Sequence, residues 1–161
     1  VMDTLTNGIK GALPAVILLA LAYSVNGLSQ TMGTANYIIS LTQGLLTPHL
    51  LPCVIFMVAA VMAFATGSSW GTFAICMPIA LPLAFSMSGG EVTQLVVAVF
   101  AAVAGGGVFG DHCSPLSDTT ILSSMGSASD HLDHVRTQLP YALTCGALAA
   151  AAYLVLGFVI G

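Results

Sequence analysis

The sequence predicts an all-α polytopic membrane protein, a helical bundle that contains a re-entrant, interrupted helix pair and a broken helix. Of its 161 residues, 57% are hydrophobic and 5% are charged, against about 25% charged residues in soluble domains. The mean hydropathy of +1.00 leaves too little polar surface for a water-soluble globule. The two lysine or arginine residues form no basic cluster, which argues against a nucleic-acid partner, and the apolar content argues against intrinsic disorder.

The first part of the chain predicts two helices before a boundary. An apolar run follows Lys10 and predicts a membrane helix over 12–29, since about 20 residues cross a bilayer. A weaker helix over 31–45 is short or interfacial, because glycines lie near its ends. Pro48, between Thr47 and His49, marks the boundary that follows.

The rest of the chain predicts four further segments of a single membrane domain over 1–161: an interrupted hairpin over 48–86, a broken helix over 91–125, a polar connection over 126–138 and a membrane helix over 139–160. The hairpin has two apolar arms with a break at 66–72, where the sequence is TGSSWGT. The broken helix begins near Glu91, because an anion is favoured at a helix N-terminus. Its break at 105–118 begins with three glycines. The connection is the most polar stretch, and the final helix is rich in alanine.

The two breaks share one design, a glycine- and hydroxyl-rich interruption between apolar helices. In hydrocarbon, each unpaired backbone group costs several kcal/mol. A break is therefore expected only where it is buried in protein or lines a water-filled cavity. Paired breaks of this kind are typical of transporter binding sites near the middle of the membrane.

Asp111 and Asp118 are the strongest candidates for ion binding. A charged Asp at membrane depth costs about 2.5–3.5 kcal/mol on insertion scales, so it needs an ion, a proton or a partner. A carboxylate can exchange a proton for a hard cation such as Na⁺, since oxygen ligands suit both. Hydroxyls of the two breaks are expected to complete the ligand set, from Ser114, Ser117, Thr119, Ser68, Ser69 and Thr72. The alternative is a loop at the membrane edge, with Ser117 or Asp118 as a helix N-cap.

Two other patterns point to chemistry that we do not expect. Gly67, Ser69 and Gly71 match the G-x-S-x-G pattern of serine hydrolases, but that motif requires a preceding strand and a soluble α/β sheet. We therefore predict no enzyme activity and no cofactor. His131 and His134 lie beside acidic residues and are expected in a solvated loop, with pH sensing as the alternative role.

Three motifs resemble the NhaC family of Na⁺/H⁺ antiporters: TGSSWGT at 66–72, GDHCSPLSDTT at 110–120 and HVRTQLPYA at 134–142. The resemblance covers about 13–142, and the G-D-x-x-S-P-x-S-D-T-T run is specific. It implies the C-terminal half of an inverted-repeat transporter with re-entrant hairpins and broken helices. It also implies a cation-binding region formed by Asp111, Ser114, Ser117, Asp118 and Thr119 together with Ser68, Ser69 and Thr72.

The resemblance further implies multi-pass Na⁺/H⁺ antiport by alternating access in a bacterial inner membrane, with Na⁺ and H⁺ competing at Asp111 and Asp118. The family also contains Na⁺- or H⁺-coupled carriers of organic acids or amino acids, so such a carrier is the alternative. Family members are longer than this chain, which opens on Val1. We therefore expect that a missing N-terminal half, a second subunit or a second copy in a homodimer completes the transporter in the lipid bilayer.

Overall fold

The structure, a computed structural model, describes residues 2–10 and 47–160, together with the isolated positions 13, 20, 24, 28, 31 and 32. The predicted helices over 12–29 and 31–45 therefore lie outside the described residues, apart from those single positions. Residues 2–10 are helical.

Within 47–160 the regular elements are five helices: α1 (Leu51–Thr66), α2 (Ser69–Met87), α3 (Gln94–Cys113), α4 (Asp118–Gly126) and α5 (His131–Ile160). Three of them, α2, α3 and α5, are long and apolar enough to cross a membrane, and α1 is a shorter apolar helix. The described part of the chain thus confirms the all-α membrane fold.

The predicted break at 66–72 is corrected to the two residues 67 and 68, which alone separate α1 from α2. Gly67 has a φ of +66° in the left-handed region and ends α1, and its N–H donates to the carbonyl oxygen of Ala63 at 2.8 Å. Ser68 is extended and caps α2, because its hydroxyl accepts the N–H of Gly71 at 3.2 Å. Glycine suits the first position because it adopts a positive φ without steric cost. The chain thereby reverses within the hairpin without leaving a long unpaired loop.

Helix α3 lies closest to α1 because two glycines on its surface remove the side chains that would separate them. A Cβ on Gly106 would meet the Phe56 carbonyl oxygen, and one on Gly110 would meet the Ala60 carbonyl oxygen. Small residues allow this approach of membrane helices. The core beside this contact is formed by Leu51, Ala59, Cys76, Ala80, Leu83, Ala84, Leu95, Val96, Val99 and Val103. The packing carries the end of α3 to the α1–α2 break.

The structure corrects the extent of the second predicted break. Helix α3 continues through the three glycines to Cys113, so only 114–117 separates it from α4. The helix persists because its glycines face a neighbouring helix rather than lipid or water. It also begins at Gln94, three residues after Glu91.

The predicted polar connection over 126–138 is also corrected. Residues 131–138 form the first turns of α5, and the link to α4 shortens to 127–130. The Asp130 side chain accounts for this start, because its Oδ1 accepts the N–H groups of Leu132 at 2.9 Å and Asp133 at 3.2 Å. Such capping satisfies donors that the first turn of a helix leaves free.

Candidate functional site

Asp111 is a buried carboxylate surrounded by hydroxyl groups. The residue is 9% exposed and lies in the last turn of α3. Ser117 donates its hydroxyl to Oδ1 at 2.7 Å. Ser69 and Thr119 donate to Oδ2 at 3.3 and 3.4 Å. The three donors come from α2, from the link before α4 and from α4 itself, so the site exists only when both breaks meet.

Helix termini shape the electrostatics around this carboxylate. Ser69 is the first residue of α2, and Ser117 caps α4, accepting the N–H of Thr119 at 3.2 Å. Two helix N-termini, each with a partial positive charge, therefore lie beside Asp111. Asp111 itself lies in the last turn of α3, so the ends of three helices meet at this carboxylate.

The two breaks are in direct backbone contact. A Cβ built on Gly67 would lie 2.7 Å from the Leu116 carbonyl carbon and 2.9 Å from the Ser117 nitrogen. Across the same contact, Ser114 donates its hydroxyl to the carbonyl oxygen of Phe64 at 2.7 Å. This bond satisfies a carbonyl in the last turn of α1 that the helix end leaves without its usual partner. Ser114 thus joins the two breaks.

The structure separates the predicted site residues into two groups. Ser69, Ser117 and Thr119 gather around Asp111, whereas Ser68 and Ser114 make structural bonds. Thr72 belongs with the second group, because its buried hydroxyl donates to the carbonyl oxygen of Ser68 at 2.9 Å.

Asp118 occupies a different environment from Asp111. It is exposed and is the first residue of α4, directly after the Ser117 cap. The alternative that Ser117 is a helix N-cap is therefore confirmed, yet the same hydroxyl also binds Asp111. A carboxylate in the first turn interacts favourably with the helix dipole. Asp118 therefore stabilises the start of α4, apart from any role in ion binding.

The site offers one buried negative charge, neutral oxygens and no cationic partner among the described residues. In the described part of the chain, the salt bridge joins Arg136 to Asp133 at 3.9 Å, on the exposed side of α5 and not at Asp111. Hydroxyl oxygens can donate to a carboxylate and can also bind a cation through their lone pairs. Oxygen ligands of this kind suit a hard cation or a proton.

The sequence did not predict that two residues of α5 bind the backbone beside the site. His131 was expected in a solvated loop, but its Nε2 lies 2.9 Å from the carbonyl oxygen of Pro115. Gln138 donates from Nε2 to the carbonyl oxygen of His112 at 3.1 Å. For Gln138 the sequence signal was its place in the HVRTQLPYA motif, and for His131 it was the neighbouring acidic residues. The structure distinguishes His131 from His134 because only the former binds the link between α3 and α4.

A buried, hydroxyl-lined carboxylate at the meeting point of two helix breaks is typical of ion-coupled membrane transporters. The Na⁺/H⁺ antiporter family matches residues 1–158, and the chain belongs to this family. The resemblance found in the sequence motifs is thereby confirmed at the level of the family, and the NhaC subgroup stays a prediction.

Individual relatives agree with this assignment. An uncharacterized protein of Haemophilus influenzae is 44% identical over 94% of this chain and 28% of its own length. The malate-2H(+)/Na(+)-lactate antiporter of Bacillus subtilis is 29% identical over 99% of this chain and 33% of its own length. The arginine/ornithine antiporter ArcD of Halobacterium salinarum is 33% identical over 96% of this chain and 31% of its own length.

The chain therefore spans no more than 33% of the length of these relatives. The family and the relatives with named activities are antiporters rather than enzymes. No solved structure matches the chain.

Proposed function

We propose that this chain supplies the cation-binding part of a secondary transporter that exchanges Na⁺ for H⁺ by alternating access. The single observation that carries the proposal is Asp111. It is a buried carboxylate with three hydroxyl donors and no cationic side chain in contact within the described residues. A negative charge at membrane depth is costly unless it binds something positive, and the oxygens around it match the preference of Na⁺.

Competition at Asp111 would couple the two ions. A protonated carboxyl group has no charge and loses most of its attraction for Na⁺, whereas the ionised group attracts either ion. The Ser117 and Thr119 hydroxyls lie beside it, 2.7 Å apart. Because a hydroxyl group rotates, each can point its hydrogen at the carboxylate or its lone pairs at a bound cation. Each ion can thus replace the other without a rearrangement of the helices themselves.

Asp118 would act at the edge of this site. Its exposed position beside Ser117 and Thr119 places a second negative charge near the ligand oxygens. Such a charge raises the local concentration of cations. We therefore assign the exchange step to Asp111 and cation attraction to Asp118, with Ser69, Ser117 and Thr119 as neutral ligands.

A second candidate function is Na⁺- or H⁺-coupled exchange of organic acids or amino acids on the same fold. The observation that favours it is the set of relatives named for malate and lactate or for arginine and ornithine. In that case Asp111 would bind the coupling ion rather than the main cargo. Exchange of Na⁺ and H⁺ without any organic solute supports the first function, and a strict requirement for such a solute supports the second.

The transporter would act in the bacterial inner membrane and require more protein than this chain. The described helices leave most of α5 uncovered, since only 11% of its most apolar stretch is buried. We propose that the remaining length of the relatives covers part of this surface, as the same polypeptide, a separate subunit or a second copy in a homodimer.

The test is Na⁺-driven proton movement in inverted vesicles that contain the complete transporter. Asp111→Asn keeps the shape and one acceptor oxygen but removes the exchangeable charge, so exchange should be lost while membrane insertion is retained. Asp133→Asn is the matched control, because Asp133 is exposed and distant in sequence from the breaks. Full exchange by the Asp111 variant would refute the proposal.

A further inference from the structure

His131 connects three elements next to the candidate ion site. It is the first residue of α5, and its ring is partly buried. Its Nε2 lies 2.9 Å from the carbonyl oxygen of Pro115, in the link between α3 and α4. Its Nδ1 lies 3.3 Å from the hydroxyl oxygen of Ser124, a buried residue of α4.

The hydrogen positions on the ring follow from its partners. A carbonyl oxygen only accepts, so Nε2 carries a hydrogen and donates to Pro115. The Ser124 hydroxyl, which donates its hydrogen to the carbonyl oxygen of Ile121 at 2.8 Å, lies 3.3 Å from Nδ1. The ring is thereby held between the link and α4, with Nε2 as the donor to Pro115.

This link lies on the peptide that presents a ligand to Asp111. Pro115 precedes Ser117 by two residues, and the Ser117 hydroxyl makes the shortest bond to the Asp111 carboxylate, at 2.7 Å. The other side of the same link is fixed by Gly67 and by the bond from Ser114 to Phe64. His131 thus adds a contact from α5 to a link that the α1–α2 hairpin already holds.

We propose that His131 is a positioning residue that fixes the 114–117 link and thereby sets the cation affinity of Asp111. It touches neither the carboxylate nor its ligands, so it acts through Pro115. The inference rests on the proposed cation role of Asp111. It adds that the first turn of α5 controls the geometry of the site, and that His134, three residues further along, does not.

The test compares four variants of the complete transporter in proteoliposomes. His131→Gln keeps a donor that reaches Pro115, whereas His131→Asn keeps a donor only at the level of Nδ1, and His131→Ala removes both. His134→Ala is the matched control, because the described structure shows no side-chain bond from His134 to the link. We measure the Na⁺ concentration that gives half-maximal exchange and, separately, the maximal rate.

Loss of one hydrogen bond should raise the half-saturating Na⁺ concentration about two- to tenfold in His131→Ala and His131→Asn. His131→Gln should stay within about twofold of the original protein, and His134→Ala should not differ. Equal defects in the Gln and Asn variants would overturn the proposal, as would an unchanged affinity in His131→Ala. If His131→Ala does not accumulate, the comparison of Gln with Asn decides the outcome.

Amide hydrogen exchange gives a readout that does not depend on transport. Removal of the Pro115 bond should accelerate exchange at the amides of Leu116 and Ser117 in His131→Ala and His131→Asn, but not in His131→Gln. Unchanged amide hydrogen exchange in all three variants would overturn the positioning role. If Asp111→Asn still exchanged Na⁺ for H⁺ while His131→Ala showed accelerated amide hydrogen exchange, the proposed function would be overturned and the positioning of the link would stay supported.

Discussion

Replacing Gly67 with alanine should disturb the site more than its size suggests. The residue ends α1 with a φ of +66°, which L-residues adopt at a cost of roughly 1–2 kcal/mol. Its added Cβ would also lie 2.7 and 2.8 Å from the carbonyl carbon and oxygen of Leu116 and 2.9 Å from the Ser117 nitrogen. All three atoms belong to the backbone, so no flexible side chain can move aside.

The total cost combines the conformational and the steric contributions. Overpacking a close contact typically costs about 1–3 kcal/mol, so Gly67→Ala should destabilise the fold by about 2–5 kcal/mol. The relief of the clash must also displace Ser117, which donates to Asp111. We therefore expect a lower unfolding temperature together with weaker Na⁺ binding.

Gly89→Ala separates these two contributions. Gly89 has a φ of +70°, but a Cβ there would meet no atom within 4 Å. This variant should lose only the conformational part and keep its Na⁺ affinity. Thermal unfolding in detergent with and without Na⁺ measures both effects, and equal behaviour of the two alanine variants would refute the reasoning.

Three further outcomes are expected in the complete transporter. Ser117→Ala should raise the half-saturating Na⁺ concentration about tenfold or more, because a bond to a charged group contributes about 1.5–3 kcal/mol; Ser117→Thr should restore it, and equal affinities in both variants would contradict the ligand role. Asp118→Asn should retain exchange with about a two- to fivefold weaker Na⁺ affinity, whereas complete loss would give Asp118 the role assigned to Asp111. Gly110→Ala should lower the unfolding temperature by separating α3 from α1, while Gly126→Ala, with open space around its Cβ, should not.

The sequence predicted a break after the first apolar arm and a buried carboxylate at Asp111 better than it predicted the boundaries of the helices. Asp111 was identifiable because only 5% of the residues are charged, and a carboxylate in an apolar membrane segment is costly unless an ion, a proton or a partner compensates its charge. The first break was identifiable because glycine and hydroxyl residues interrupt two apolar arms. Both inferences depend on local composition, which is read directly from the chain.

The failures arose where contacts between distant residues decide the structure. Three consecutive glycines predicted a break, but Gly106 packs against α1 and Gly107 against Phe73 of α2, and both remain helical. The bond from Ser114 to Phe64 joins residues 50 positions apart. Hydropathy carries no information about such a pair, so the structural bond of Ser114 was not predicted, and its role as an ion ligand stays a prediction.

The central claim is that one carboxylate binds either Na⁺ or H⁺. Titration calorimetry of the complete transporter with Na⁺, repeated in buffers of different ionisation enthalpy and at several pH values, measures ion affinity and proton release together. The account predicts that Na⁺ binding releases a proton, weakens as the pH falls and is lost in Asp111→Asn. Sodium binding of equal strength in that variant, or an affinity that does not change with pH, would contradict it.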